Sequence, residues 1–210
     1  MTAGPRKASG ATTHTSTMGS TSDWTLLPAV AAPVLLIGGW TLAAGIRPGS
    51  FNQVTDTISA LAASGGPNRW LMTAALAVVG VCYLLTAWGL REAAVSGRLL
   101  LAAGGVATCA VAAIPLPAVG PSAAHSGVAS GAFLALAFWP LFARRADTES
   151  WGLRPAVCVT AAALLFGLLV WFAVSLSTDV YIGLAERVAA GAQAVWPAVV
   201  TYTCRRRQRR

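Results

Sequence analysis

The chain has 210 residues, of which 56% are hydrophobic and 10% are charged. An ordinary soluble domain is about 45–50% hydrophobic and about 25% charged, so this chain lacks the polar side chains that a water-soluble surface requires. Its net charge of +8 does not indicate a nucleic-acid partner, because five of its fifteen Lys and Arg residues lie in the last six positions, Arg205 to Arg210, and the others form no basic stripe.

The first segment, residues 1–22, is rich in Ser, Thr, Gly and Ala. Such a composition cannot bury enough apolar surface to fold, and it predicts a disordered tail. A secretory signal peptide would place its basic residues directly before a short apolar run of about 7–15 residues and a cleavage site. The first apolar run here is longer, so we expect an uncleaved helix.

Six apolar runs follow, each near the roughly 20 residues that cross the hydrocarbon core of a bilayer. The last run contains Glu186 and Arg187, which we place at its water-facing mouth. The pattern predicts an all-α fold, a polytopic integral membrane bundle of six transmembrane helices within a domain of residues 23–204. The predicted helices are 24–46, 70–90, 99–116, 124–143, 155–176 and 183–203.

The basic residues predict the orientation of this bundle, because Lys and Arg gather on the cytoplasmic side of a membrane. Twelve of the fifteen lie on the side of the N-terminal tail if the chain crosses six times, and the three opposite are Arg47, Arg69 and Arg187. We therefore expect both termini in the cytoplasm and the protein in the plasma membrane. The Arg-rich, Ala-rich and Gly-rich composition favours a bacterial source. The polybasic tail, residues 205–210, is expected to bind anionic lipid.

Small residues predict where helices pack closely, since lipid provides no hydrophobic drive between them. We expect two stripes of small residues to pack inside the bundle. The stripe in the fourth run is Gly127, Gly131 and Ala135, and that in the second run is Thr73, Ala77, Gly80 and Ala87.

The segment between the first two runs, residues 47–69, is predicted to lie on the outer side. Apolar residues recur there at helical spacing, and a Ser-Gly-Gly-Pro sequence then stops the pattern. We predict a short amphipathic helix in this first outer loop that carries Asp56, Thr57 and Ser59. Its apolar face is Phe51, Val54, Ile58 and Leu61.

The segment DTISALAASGGPNRWLMTAALAVVG resembles the signature of the bacterial membrane proteins known as domain of unknown function 998, in which a Ser-x-Leu motif, here Ser59 and Leu61, precedes the second helix. Also similar are His125 at the start of the fourth helix and a Gly-x-x-(Glu/Gln)-Arg opening to the sixth, here Gly183, Glu186 and Arg187. A more distant likeness links the chain to the eukaryotic Frag1, DRAM and Sfk1 group. The resemblance implies a six-helix membrane protein and no particular activity.

Several polar residues fall at the predicted outer ends of their segments, where they are costly unless they are paired or functional. We expect an outer cavity that binds a ligand and is lined by such residues. Each also has a structural alternative: Asp56 caps the short helix, Ser59 is packed, His125 bonds a loop carbonyl, and Glu186 and Arg187 each bond a loop. The candidate ligand-binding residues are Asp56, Ser59, His125, Glu186, Arg187 and Gln193, with Asp179 near them.

Three functions fit this sequence. The first and favoured one is a non-catalytic protein that binds a lipid or small amphiphile, with its protein partner unspecified. The second is a membrane hydrolase or transferase that uses Ser59, His125 and an acidic residue such as Asp56, which requires His125 within hydrogen-bond reach of Ser59 or Asp56. The third is a small transporter. We expect no cofactor and no metal, because one His outside the tail and four scattered cysteines make no ligand set.

Overall fold

The computed structural model describes residues 21–47, 49 and 51–209, and these are all-helical apart from their connections. The predicted tail over residues 1–20 and the terminal Arg210 lie outside the described residues. Two 3-10 turns, Asp23–Thr25 and Trp151–Leu153, precede α1 and α6. The α-helices are α1 Leu26–Gly45, α2 Ile58–Leu61, α3 Arg69–Gly89, α4 Val95–Ala113, α5 Ala123–Ala143, α6 Pro155–Thr178 and α7 Ile182–Gln208.

The six long helices coincide with the six apolar runs of the sequence, and the largest difference is at the end of α7. This helix continues to Gln208, so residues 205–208 are helical and not a separate tail. Side-chain contacts hold the extension, since Arg205 bonds Asp23 at 2.8 Å and Arg207 bonds Glu149 at 2.9 Å.

Successive long helices run antiparallel and pack in a closed ring in the order α1, α3, α4, α5, α6, α7. We call the end of the bundle where α7 begins the cap end, because residues 51–61, the cap segment, lie there. We call the opposite end, where α7 finishes near Asp23, the tail end. Because the ring closes between α1 and α7, each long helix contacts its two neighbours, and the six helices together surround a common interior.

Five helices are long and apolar enough to cross a membrane, namely α1 with its preceding turn, α3, α4, α5 and α6. The most apolar of them, α6, is also the least buried, since 22% of its most apolar 18-residue stretch lies inside the bundle. Large apolar side chains such as Leu27, Leu99 and Leu164 are more than half exposed. α7 is not among the five, because charged residues at both its ends and Gln193 near its middle lower its hydropathy.

Close helix contacts agree with one of the two predicted stripes of small residues. A Cβ atom on Gly80 of α3 would lie 2.7 Å from the carbonyl oxygen of Gly105 of α4, so these backbones approach directly. In the other stripe only Ala135 is buried. Gly127 and Gly131 are exposed, and a Cβ atom added to either would have no described neighbour within 4 Å, so their predicted packing is wrong. The helix α5 turns them away from the ring and packs through Ala132 and Leu136 instead.

Candidate functional site

The cap segment lies across the cap end of the bundle, but its helix is shorter than the apolar spacing predicts. Only Ile58–Leu61 is helical, and Asn52 and Asp56 bind the backbone before it. The Asn52 side-chain oxygen accepts from Val54 N at 2.9 Å, and the Asp56 carboxylate accepts from Asn52 N at 2.9 Å. Such local bonds compete with helix formation. Thr57 caps the helix by accepting from Ala60 N at 3.0 Å, so the expected capping role of Asp56 is wrong.

The first turns of α7 hold the cap segment in place. The Arg187 side chain is buried, and its Nη1 donates to the carbonyl oxygens of Gln53 and Asp56 at 2.9 and 2.8 Å. Its guanidinium also lies 5.6 Å from the centre of the Phe51 ring, within the range of a cation–π contact. Arg187 therefore fixes a loop, as its structural alternative expects.

Glu186 contacts the same segment from a second side. Its carboxylate is buried and accepts from Ile58 N and, at 3.4 Å, from the Ser59 hydroxyl. Glu186 and Arg187 do not form an ion pair with each other, since adjacent residues on a helix point about 100° apart. Together they bind opposite parts of the cap segment, and Glu186 also brings the Ser59 hydroxyl to the bundle interior.

His125 lies in the first turn of α5 and is 4% exposed. Its Nδ1 is 2.7 Å from the carbonyl oxygen of Ile114, which ends α4, so the ring links these two helix termini. This is the loop-carbonyl contact that the structural alternative expects. The other ring nitrogen, Nε2, is buried and has no hydrogen-bond partner within the described part of the chain.

A cleft of about 400 Å³ lies between α5 and α6, beneath the cap segment. Ser59, His125 and Glu186 line it together, so three of the predicted residues meet in one site. Exposed residues of both helices also line it, and the cleft is therefore open to the side of the bundle. Its other polar wall residues are Thr57, Ser126 and Ser130, and its apolar wall includes Phe133, Leu134, Leu169, Phe172, Ala173 and Leu176.

A smaller cavity of about 70 Å³ lies at the centre of the ring and shares Ser59, Phe133 and Glu186 with the cleft. Gln193 lines this cavity and not the cleft. Its Nε2 donates to the Phe133 carbonyl at 3.1 Å, and its Oε1 is buried without a partner among residues 21–47, 49 and 51–209. Both cavities are mostly apolar, and they share the polar side chains Ser59 and Glu186.

The remaining candidates lie elsewhere. The Asp56 carboxylate bonds within the cap segment, and Asp179 is an exposed residue in left-handed conformation after α6. Sequence reasoning placed Thr57 on the short helix without assigning it to the site, and it missed Ser126 and Ser130. Ser126 directly follows His125 and Ser130 lies one helical turn after Ser126 within an otherwise apolar helix, and that polar pair was the available signal.

The described residues do not form the His125 contact that the hydrolase alternative requires. Ser59 Oγ donates to Glu186, and the described residues include no hydrogen bond from His125 to Ser59 or Asp56. Within the same residues, no group of three His, Cys, Asp or Glu side chains is placed to hold a metal ion. The geometry provides hydrogen-bonding groups beside an apolar slot.

A ring of antiparallel apolar helices, with large apolar side chains exposed around it, defines a multi-pass membrane protein. Comparison with known protein families shows which family of membrane proteins this is. The chain belongs to the family described as Protein of unknown function (DUF998), whose model matches residues 29–203. This match confirms the resemblance seen in the sequence and includes the cap segment, the cleft and the start of α7. No curated protein and no solved structure matches the chain.

Proposed function

We propose that this protein is a six-span plasma-membrane protein that binds a lipid or small amphiphile in the cleft between α5 and α6. The observation that carries the proposal is the form of the cleft, which has polar groups at the cap end and apolar walls beyond them. An amphiphile has the same division between head group and chain. Exposed apolar residues such as Leu134 and Leu176 border the cleft, so a lipid can enter it from the bilayer without crossing water.

The sixth span is α7. It begins at the cap end, where Leu184 N donates to the Val54 carbonyl at 3.1 Å, and it finishes at the tail end beside Asp23. A helix of 27 residues is long enough to cross a bilayer. Most of the arginines lie at the tail end, which supports a cytoplasmic tail end and an outer cap end. The site then opens toward the outer leaflet.

Cysteine labelling tests this topology. In intact cells, a membrane-impermeant maleimide is expected to label Val119→Cys, which is 90% exposed at the cap end, and to leave Asp23→Cys and Arg209→Cys unlabelled. The wild type is the background control, since three of its four cysteines are buried and the fourth is half-buried. Labelling of Arg209→Cys without labelling of Asp23→Cys would mean five crossings and contradict the proposal.

Lipid retention tests the cleft itself. Ala173 lines the cleft from an exposed position on α6, so Ala173→Trp fills the space without disturbing the ring. Ala163→Trp is the matched control, because Ala163 is exposed on the same helix and lies outside the cleft. Mass spectrometry of the purified protein is expected to find a co-purifying amphiphile in the wild type and the control, and much less of it in Ala173→Trp. Equal amounts in all three proteins would contradict binding in the cleft.

We favour binding over a hydrolase or transferase activity of Ser59 and His125, because His125 bonds the Ile114 carbonyl and, among the described residues, makes no hydrogen bond to Ser59 or Asp56. No particular observation supports the transporter alternative. At the tail end, we propose that anionic lipid is contacted by Arg206 and Arg209, which are exposed. Arg205 and Arg207 are engaged by Asp23 and Glu149.

A further inference from the structure

The side-chain amide of Gln193 has a defined orientation at the central cavity, the space of about 70 Å³ at the centre of the ring. Its Nε2 donates to the Phe133 carbonyl of α5 at 3.1 Å. A backbone carbonyl only accepts, so the amide nitrogen and not the amide oxygen has to face Phe133. Gln193 Oε1 is therefore the acceptor that remains, and this conclusion depends on the protonation state of no residue.

This oxygen is buried and lacks a donor within the described part of the chain. Gln193 is 1% exposed, and Oε1 has no hydrogen-bond partner there. An amide oxygen that is removed from water without a hydrogen bond destabilises the folded state. His125 Nε2 and the Nε and Nη2 of Arg187 are also buried without partners, but neither residue lines the central cavity. The donor for Gln193 therefore has to come from a molecule inside the cavity.

The size and the lining of the central cavity suit water. A volume of about 10–15 Å³ holds one water molecule, so this cavity has room for several. Cavities that stay empty are apolar, whereas this one is also lined by Ser59, Tyr83, Thr108 and Glu186. Thr108 Oγ1 donates to the Gly104 carbonyl at 2.8 Å and keeps the capacity to accept from water. Water thus finds partners in the cavity besides Gln193.

The carboxyl group of Glu186 provides further acceptors at the same cavity. It is buried and accepts from Ile58 N and from Ser59 Oγ. A carboxyl group has more acceptor capacity than these two donors fill, whether or not it carries a proton. Because Glu186 lines the central cavity as well as the cleft, water in the cavity is placed to meet that capacity from inside the ring.

We propose that the central cavity is an internal water site, in which one water donates to Gln193 Oε1 and further waters extend the hydrogen-bonded chain toward Glu186. The site stabilises the polar interior of α7, because it gives a donor to an oxygen that the helices leave without one. A lipid chain in the same space would leave that oxygen unpaired. The water site lies behind the cleft, so Glu186 stays hydrated from inside when the cleft is filled by an amphiphile.

Pulsed X-ray footprinting of the purified protein tests for this water, since hydroxyl radicals formed from bound water oxidise the side chains beside it. Tyr83 lines the central cavity and is 2% exposed. Met72, on the same helix, is fully buried and lines neither the cavity nor the cleft. We expect Tyr83 to be oxidised and Met72 to stay at the background of an unirradiated sample, although a thioether is the more reactive group.

Two variants of α7 test whether Gln193 holds the water. Gln193→Leu removes the acceptor and keeps a side chain of similar size, and we expect it to lose most of the Tyr83 oxidation. Thr201→Val is the matched control, because it removes a buried hydroxyl of the same helix that lines neither the cavity nor the cleft. We expect wild-type oxidation of Tyr83 in this control. Oxidation of Met72 would identify a variant that has not folded.

The wild-type protein alone decides whether the water is present. A Tyr83 side chain that stays as unoxidised as Met72 would overturn the proposal, even where a variant fails to fold. Tyr83 oxidation that persists in a folded Gln193→Leu protein would overturn the assignment of Gln193 as the residue that holds the water. Neither result bears on the proposed binding in the cleft, which the lipid retention of Ala173→Trp tests separately.

Discussion

Replacing Glu92 with Ala is expected to lower the free energy of unfolding by about 3 kcal/mol, because it removes two hydrogen bonds to a buried charged group. Glu92 lies between α3 and α4 at the tail end and is 4% exposed. Its carboxylate accepts from the Ser150 hydroxyl and from Gln208 Nε2, both at 2.6 Å. The residue therefore joins three separate parts of the tail end.

The matched control for this change is Glu149→Ala. Glu149 also contacts the end of α7, through Arg207 at 2.9 Å, but its side chain is 79% exposed. Ion pairs at the surface contribute about 0–1 kcal/mol, so we expect a loss below about 1 kcal/mol. Denaturant titration of both purified variants in micelles measures the difference. Equal losses of unfolding free energy in the two variants would contradict the proposal that the buried Glu92 hydrogen bonds stabilise the tail end.

Gly183→Ala is expected to lower the free energy of unfolding by about 2–3 kcal/mol, at the upper end of the cost of overpacking. A Cβ atom at Gly183 would lie 2.8 Å from the Gln53 carbonyl oxygen and still closer to that of Asp56. Both are backbone atoms that also accept from Arg187, so the cap segment has to move as a whole. The expected result includes faster proteolysis within the cap segment.

Gly191→Ala, on the same helix, is the control for that prediction. A Cβ atom there meets its nearest neighbour, a ring carbon of Trp40, at an ordinary 3.6 Å. Ala is favoured over Gly in a helix by about 1 kcal/mol, so this variant is expected to be as stable as the wild type or more stable. If Gly183→Ala behaves in the same way under denaturant titration, the close approach of cap segment and α7 does not exist.

The helices of this protein could be predicted because hydropathy over about 20 residues is a signal within one segment. The cap segment could not be predicted as well. Its apolar residues have helical spacing, but the side-chain bonds of Asn52 and Asp56 to the local backbone prevail over residues 51–57. Periodicity does not show which of these competing interactions is stronger. The helix was therefore predicted at the correct place and at more than its true length.

The candidate site was predicted in part for a similar reason. Polar residues at segment ends pointed to Ser59, His125 and Glu186, and the structure brings these three to one cleft. The pattern did not show that the Asp56 carboxylate turns back to Asn52, or that Arg187 turns to the cap segment. The bond between Asp56 and Asn52 is local, and periodicity does not show that it forms. The direction of Arg187 depends on contacts between residues more than 100 positions apart, as in its bond to Gln53. The same holds for Gly127 and Gly131, whose outward direction depends on how α5 is rotated in the ring.

Photo-crosslinking with a lipid that carries a photoreactive group on its acyl chain tests the central claim most directly, because peptide mapping shows where the lipid lies. The purified protein would be irradiated in lipid vesicles and the labelled peptides identified by mass spectrometry. The account predicts labels concentrated on residues 126–134 of α5 and 169–176 of α6, and lost in Ala173→Trp. Labels spread evenly over the exposed faces of all the long helices, unchanged in that variant, would contradict it.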